Sequence, residues 1–212
     1  MKRLTFFLLT LCSLVAMAQQ NQEVRRIKGA FLFPEFRHAK VLQTFGRHVE
    51  VEQANIAINK GNFVFLQGDS VLIPTNSSIL GVEFDSLHVY MRVEGMVMGR
   101  VLASENYNNL LCVTTVDREM LTEETNRSTA MAFLSMESGQ FADYDMFDRD
   151  EGYPLCDAYY FSVKGKVIPA NERIVKSYIA PNKKAEFKKL MNDRWWSWRD
   201  AESLAQLLAL FP

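Results

Sequence analysis

From Lys28 to about Asp117 the sequence is a succession of short apolar segments separated by turn residues, and this spacing constrains the fold more than any other feature. The segment Val49-Glu50-Val51-Glu52 alternates strictly, which is typical of a half-buried strand. Gly68-Asp69 is a two-residue hairpin signal. Strands spaced about 8–12 residues apart, with turns between them, predict an antiparallel β-meander folded as a sandwich or an open barrel. We assign residues 19–117 to this meander.

Helical patterns follow later in the chain. Residues 118–152 are predicted as a helix or loop connection that contains an acidic loop. For residues 153–212 we predict a β-hairpin and two C-terminal α-helices packed on the meander as one compact unit, so the fold class is mainly β (α+β). Pro181 favours the first turn of one helix, and the spacing of Ser197 and Asp200 predicts a capping box for the next. Residues 173–178 are predicted as one more strand.

Residues 1–18 have the features of a cleaved export signal, with basic Lys2 and Arg3, a short apolar run, and small residues before the cleavage point after Ala18. The apolar run is too short to span a hydrocarbon core, which takes roughly 20 residues. A lipobox at Cys12 would need a small residue before it, and Leu11 is large. We therefore expect a periplasmic or extracellular protein with no transmembrane span in the mature chain.

The charge balance and the sequence motifs limit which classes of function we expect. The chain has 24 Lys and Arg against 25 Asp and Glu, a formal net charge of −1. Nucleic-acid binders usually carry a basic patch, so we expect no nucleic-acid partner. The sequence has no G-x-S-x-G nucleophile elbow. We expect no cofactor and predict no catalytic residue.

Two cysteines, Cys112 and Cys156, remain once Cys12 leaves with the signal. An oxidising compartment permits a disulfide between them. The alternative is two separate buried thiols, because both lie in predicted strands where a free cysteine packs like a small apolar residue. Their Cα separation cannot be obtained from the sequence, so both alternatives stay open.

Metal sites are only weakly indicated. Asp143, Asp145, Asp148 and Asp150 form the densest set of hard oxygen ligands, which Ca²⁺ prefers. Their spacing fails the EF-hand loop, since Asp148 stands where a glycine is required, and a solvated acidic loop is the favoured interpretation. The histidines, His38, His48 and His88, lack the close pairing typical of transition-metal sites.

The candidate ligand-binding residues are Trp195, Trp196 and Trp198, together with Tyr178. Their rings could stack on sugars or sit in a membrane interface. The alternative is that they fill the junction between the two helices and the sheet.

Two stretches resemble a diffuse group of uncharacterised exported Bacteroidota proteins. One comprises residues 33–46 followed by Ala54-Asn55-Ile56, and the other is the ending that begins at Trp195 and runs through Asp200-Ala201-Glu202-Ser203-Leu204. The resemblance implies export and brings no activity, cofactor or site residue with it.

Our leading hypothesis is a non-catalytic binding or structural module of the cell envelope, with an envelope protein or a glycan as partner. The first alternative is a lipid or lipoprotein carrier with an apolar cavity. The second is a glycan-active hydrolase, which would need two carboxylates about 5–10 Å apart.

Overall fold

The computed structural model describes residues 24–127 and 150–212. The strands in this part of the chain are β1 (Arg26–Ile27), β2 (Arg37–Gln43), β3 (His48–Ala57), β4 (Asn62–Gln67), β5 (Ser70–Leu72), β6 (Ile79–Asp85), β7 (His88–Glu94), β8 (Val97–Glu105), β9 (Asn108–Val116), β10 (Tyr153–Val163) and β11 (Lys166–Pro169). The helices are α1 (Arg118–Arg127), α2 (Glu172–Tyr178), α3 (Lys184–Met191) and α4 (Ala201–Ala205). This confirms the predicted class, an antiparallel β-meander with short helices near the C-terminus.

The sheet runs in the order β1-β10-β9-β8-β7-β6-β2-β3-β4-β5. Strand β11 lies outside this order and pairs with β10. β4 returns to β8 through the pair Asn62 and Val97. The N–H of Phe63 donates to the Met96 carbonyl at 2.9 Å, and the N–H of Met98 donates to the Gly61 carbonyl at 2.8 Å. Strands β2, β3, β4, β6, β7 and β8 therefore close on themselves as a ring. The ring replaces the two stacked layers of the sandwich alternative.

Two apolar cores result from this topology. One core belongs to the ring and comprises Phe33, Ala39, Val41, Ala54, Ile56, Phe63, Ile79, Val82, Tyr90 and Met98. The other joins β9, β10 and β11 to the C-terminal helices and comprises Leu110, Phe161, Val163, Ile168, Val175, Ile179, Phe187, Leu204, Leu207, Leu208, Leu210 and Phe211. The strands that leave the ring thus form the platform on which the helical layer packs.

The predicted C-terminal helices are present with corrected starts. α3 buries Phe187 and packs Leu190 and Met191 against the core, as its spacing predicts. Pro181 begins a short 3₁₀ turn that precedes α3. The capping prediction at Ser197 is wrong, because α4 begins at Ala201 and its cap is Asp200, whose Oδ2 accepts the Ser203 N–H at 2.7 Å.

The strand predicted at residues 173–178 is also wrong, because this segment is the helix α2. Asn171 caps it, with its side-chain Oδ1 accepting the Ile174 N–H at 3.0 Å. Val175 forms the buried face of α2, and Ile179, which ends the helix as its C-cap, is buried next to the same core. The cap and this face outweigh the β preference of the branched side chains.

None of the helices within residues 24–127 and 150–212 combines the length and the apolar character needed to cross a membrane.

Asn55 fastens the segment before β2 to the ring. Its side chain is fully buried, and its Oδ1 accepts the N–H groups of Phe33 at 3.1 Å and Ile56 at 2.8 Å. Its Nδ2 donates to the carbonyls of Phe33 at 2.9 Å and Glu35 at 3.2 Å. The amide is thus completely satisfied by backbone groups that would otherwise lack partners. The two halves of the resembling motif, residues 33–46 and 54–56, meet at this side chain.

We expect Asn55→Ala to lower the free energy of unfolding by on the order of 3 kcal/mol, because it leaves several buried backbone groups without partners. Urea denaturation followed by circular dichroism measures the change. Asn182→Ala is the matched control, since Asn182 is exposed on the turn before α3. Equal effects of the two substitutions would contradict the role given to Asn55.

Candidate functional site

A cleft of about 540 Å³ lies where the two cores meet. Ile56, Tyr90 and Met98 of the ring core line one side of it. Leu102 and Tyr159, which pack against the helical core, line the other side. The volume falls within the range of about 300–1,000 Å³ found for small-molecule sites.

The middle of the cleft is a row of side chains across four neighbouring strands. Tyr90 of β7 pairs with Arg100 of β8, Arg100 pairs with Cys112 of β9, and Cys112 pairs with Tyr159 of β10. Residues paired in this way share one face of the sheet. At a strand spacing of about 4.8 Å, the row extends about 14 Å from Tyr90 to Tyr159.

A charged group lies one step along the same face. Asp157 is paired with Thr114 across β10 and β9, and its Oδ1 accepts the Thr114 hydroxyl at 2.6 Å. The Arg25 guanidinium donates to the same oxygen at 2.7 Å. Asp157 is therefore neutralised by an arginine and held in place by a hydroxyl.

Three donors of the row have no such partner. Arg100 is exposed on the cleft surface, and within the described ranges it forms no hydrogen bond or ion pair. The hydroxyls of Tyr90 and Tyr159 likewise make no hydrogen bond to any described residue. The cleft thus presents one unpaired positive charge with a phenol on each side.

Burial keeps the groups beside Arg100 uncharged. It raises the pKa of Tyr90 to about 12, although the positive charge of Arg100 opposes the shift. Burial also raises the pKa of Tyr159, with a further contribution from the neighbouring Cys112. Both phenols remain protonated at neutral pH and are hydrogen-bond donors.

Apolar side chains line much of the rest of the cleft, together with Arg26, which is paired with Glu124. Ile27 and Leu32 come from the segment before β2, Leu155 from β10, and Ala201 from the start of α4. A cleft in which polar groups converge on one place beside apolar side chains is typical of small-molecule recognition.

The four aromatic residues predicted as a ligand site do not share one environment. Trp196 and Trp198 contact each other edge to face at 4.7 Å between ring centres and pack on the helical core. The Trp196 Nε1–H donates to the Ser203 carbonyl at 3.0 Å. Tyr178 packs on the same core, and the Lys166 ammonium lies 5.3 Å from its ring centre. Trp195 alone is open to solvent, 84% exposed.

Cys112 and Cys156 are both free thiols in this structure. Cys112 pairs with Tyr159 and Cys156 pairs with Thr115, three residues further along β9. An odd offset places the two thiols on opposite faces of the sheet. The alternative of two buried thiols holds for Cys112 only, because Cys156 is exposed.

The candidate metal ligands do not form a site in the described part of the chain. No group of three or more His, Cys, Asp or Glu is placed to hold a metal within residues 24–127 and 150–212. Asp143, Asp145 and Asp148 lie outside the described residues, and Asp150 is exposed at their border. His38 faces Glu50 at 3.2 Å, and both side chains are about half exposed.

His88 and Asp85 form an arrangement that resembles part of a catalytic triad. Its Nδ1 lies 2.8 Å from Oδ1 of Asp85, and this contact lowers the pKa of Asp85, with the Leu87 N–H as a second cause. Arg37 donates to the other carboxylate oxygen at 3.2 Å. In the part of the chain that the structure describes, no hydroxyl or thiol bonds to the other ring nitrogen. The cluster therefore ties β2 to the turn between β6 and β7.

Sequence patterns alone do not locate the cleft. The alternation of side chains in a strand puts Met98, Arg100 and Leu102 on one face, so an arginine within an apolar face was the available signal. Joining that arginine to Tyr90 and Tyr159 requires the registers of three strand pairs. Two of these contain a bulge, one between Arg92 and Glu94 and one between Val101 and Ala103.

Comparisons with protein-family models, curated proteins and solved structures found no match for this chain.

The two thiols are expected to react differently. Burial raises the pKa of Cys112 to about 12, so at pH 8 it has almost no thiolate, which is the reactive form. Iodoacetamide should modify Cys156 and leave Cys112 unmodified in the folded protein, and peptide mapping by mass spectrometry distinguishes them. In urea both should react. Comparable labelling of Cys112 in the folded state, or a bond between the two, would contradict this assignment.

Proposed function

We propose that this protein is an exported, non-catalytic binding module of the cell envelope and that its ligand site is the cleft between the two cores. The observation that carries the proposal is the row of Tyr90, Arg100 and Tyr159, three hydrogen-bond donors that have no partner among the described residues and line a cleft of about 540 Å³. All three line the cleft, where a ligand can accept their hydrogen bonds.

The chemistry of the lining favours a small anion with an apolar portion. Arg100 can hold a carboxylate, sulfonate or phosphate group through two parallel hydrogen bonds. The phenols of Tyr90 and Tyr159 can donate to the same group or to its substituents. The wall that includes Ile27, Leu32 and Leu155 would then cover the apolar portion of the ligand.

The two alternative functions, a lipid carrier and a glycan-active hydrolase, have less support. A lipid carrier would need an open apolar cavity, whereas the interior of the ring is filled by its own buried side chains. A glycan-active hydrolase would need two carboxylates, and the lining of the cleft includes one, Asp157, which is already paired with Arg25.

Decanoate is a suitable probe, because it combines a carboxylate with an apolar chain. We expect it to bind and Arg100→Gln to weaken binding about tenfold, which corresponds to roughly 1.4 kcal/mol, close to the lower end of the range for a charge-assisted hydrogen bond. Isothermal titration calorimetry measures both dissociation constants.

Arg47→Gln is the matched control, because Arg47 is an exposed arginine between β2 and β3, outside the cleft. It should bind decanoate as the unmodified chain does. If neutral decanol bound as tightly as decanoate and Arg100→Gln left both unchanged, the anion site would be disproved and the apolar carrier favoured.

A further inference from the structure

The positive charge of this protein is concentrated in one segment. Residues 164–199 contain ten Lys or Arg and three acidic residues, a formal charge of +7, whereas the whole chain has −1. The segment contains β11, α2 and α3 and the turn that leads to α4. The near-neutral net charge of the whole chain therefore conceals a strongly basic region in the helical layer.

These positive charges are largely exposed and unpaired. Lys184, Lys188 and Lys189 are exposed on α3, whose other side packs Phe187 on the core. Within the segment one ion pair is formed, between Lys183 and Glu186 at 2.9 Å. The described side chains supply no acidic partner for Lys184, Lys188 or Lys189.

An exposed tryptophan follows these lysines closely in the chain. Trp195 follows α3 after a short turn in which the Asp193 side chain accepts the Trp195 N–H at 3.0 Å. The Arg194 guanidinium lies 5.4 Å from its ring centre. Its neighbours Trp196 and Trp198 both pack on the core, so Trp195 is the indole that the fold leaves in water.

We propose that Lys184, Lys188, Lys189, Arg194 and Trp195, which we call the basic surface, dock the protein on an anionic phospholipid bilayer. Exposed lysines and arginines are attracted to anionic headgroups, and each contributes about fivefold to the partition coefficient. An indole prefers the boundary between headgroups and acyl chains, where its ring is in an apolar and its N–H in a polar environment.

The indole is what favours a bilayer over a soluble polyanion. A polyanion would need the positive charges alone, whereas a bilayer also removes the exposed ring of Trp195 from water. The site is independent of the cleft, since none of the five residues lines it.

Co-sedimentation with vesicles tests the proposal on the full mature chain. We expect binding to vesicles of mixed phosphatidylglycerol and phosphatidylcholine, none to phosphatidylcholine alone, and loss of binding as the salt concentration rises. Lys188→Gln with Lys189→Gln should lower the partition coefficient about 25-fold. Lys28→Gln with Lys40→Gln removes the same charge from the sheet side and should change it little.

Tryptophan fluorescence provides the second measurement. The emission should shift to shorter wavelength on binding to the anionic vesicles, and Trp195→Phe should abolish the shift while circular dichroism confirms an intact fold. Equal losses from the two lysine pairs would overturn the proposal, as would a shift that persists without Trp195. Binding to heparin or single-stranded DNA without any binding to vesicles would overturn it in favour of a soluble polyanion.

Discussion

The contact between β4 and β8 is the constraint on which the rest of the structure depends. It closes six strands into a ring around one core and leaves β8 with β9 as its neighbour outside that ring. Because β9, β10 and β11 continue the same sheet, they form a platform that the ring itself does not cover. The C-terminal helices pack on that platform, and the side chains between them form the second core. The cleft lies where the side chains of the two cores meet.

Arg25 and Arg100 both line the cleft, but their charged surroundings give them different roles. Arg25 is held by Asp157, which in turn accepts the Thr114 hydroxyl, so this group is satisfied without a ligand. Arg100 lies in the row with two phenols and has no acidic neighbour to neutralise it. An internal ion pair is structural because it removes its own charge, whereas an unpaired guanidinium beside apolar surface leaves a charge for another molecule to balance.

The sequence predicted what depends on local patterns and missed what depends on register. Strand alternation and turn residues located the meander, and apolar spacing located α3 and its buried face. The helix α2 was missed because its Asn171 cap and the pair Val175 and Ile179 are a weak signal in a short segment rich in branched residues. The cleft and the separation of Cys112 from Cys156 both require cross-strand registers, and bulges shift these by a residue. The overall charge likewise gave no indication of the basic segment.

β9 belongs to both halves of the molecule. Its Leu110 lies in the helical core, while the N–H of its Val116 donates to Ile58, next to the ring strand β3, at 3.0 Å. Detaching the helical layer would expose Leu110 of β9, and the same strand contributes Cys112 and Thr114 to the cleft. The two cores are therefore coupled into one cooperative unit, although each is formed by different side chains. A molecule bound between them touches both cores, so its binding free energy is added to the stability of the whole domain and not to one layer alone.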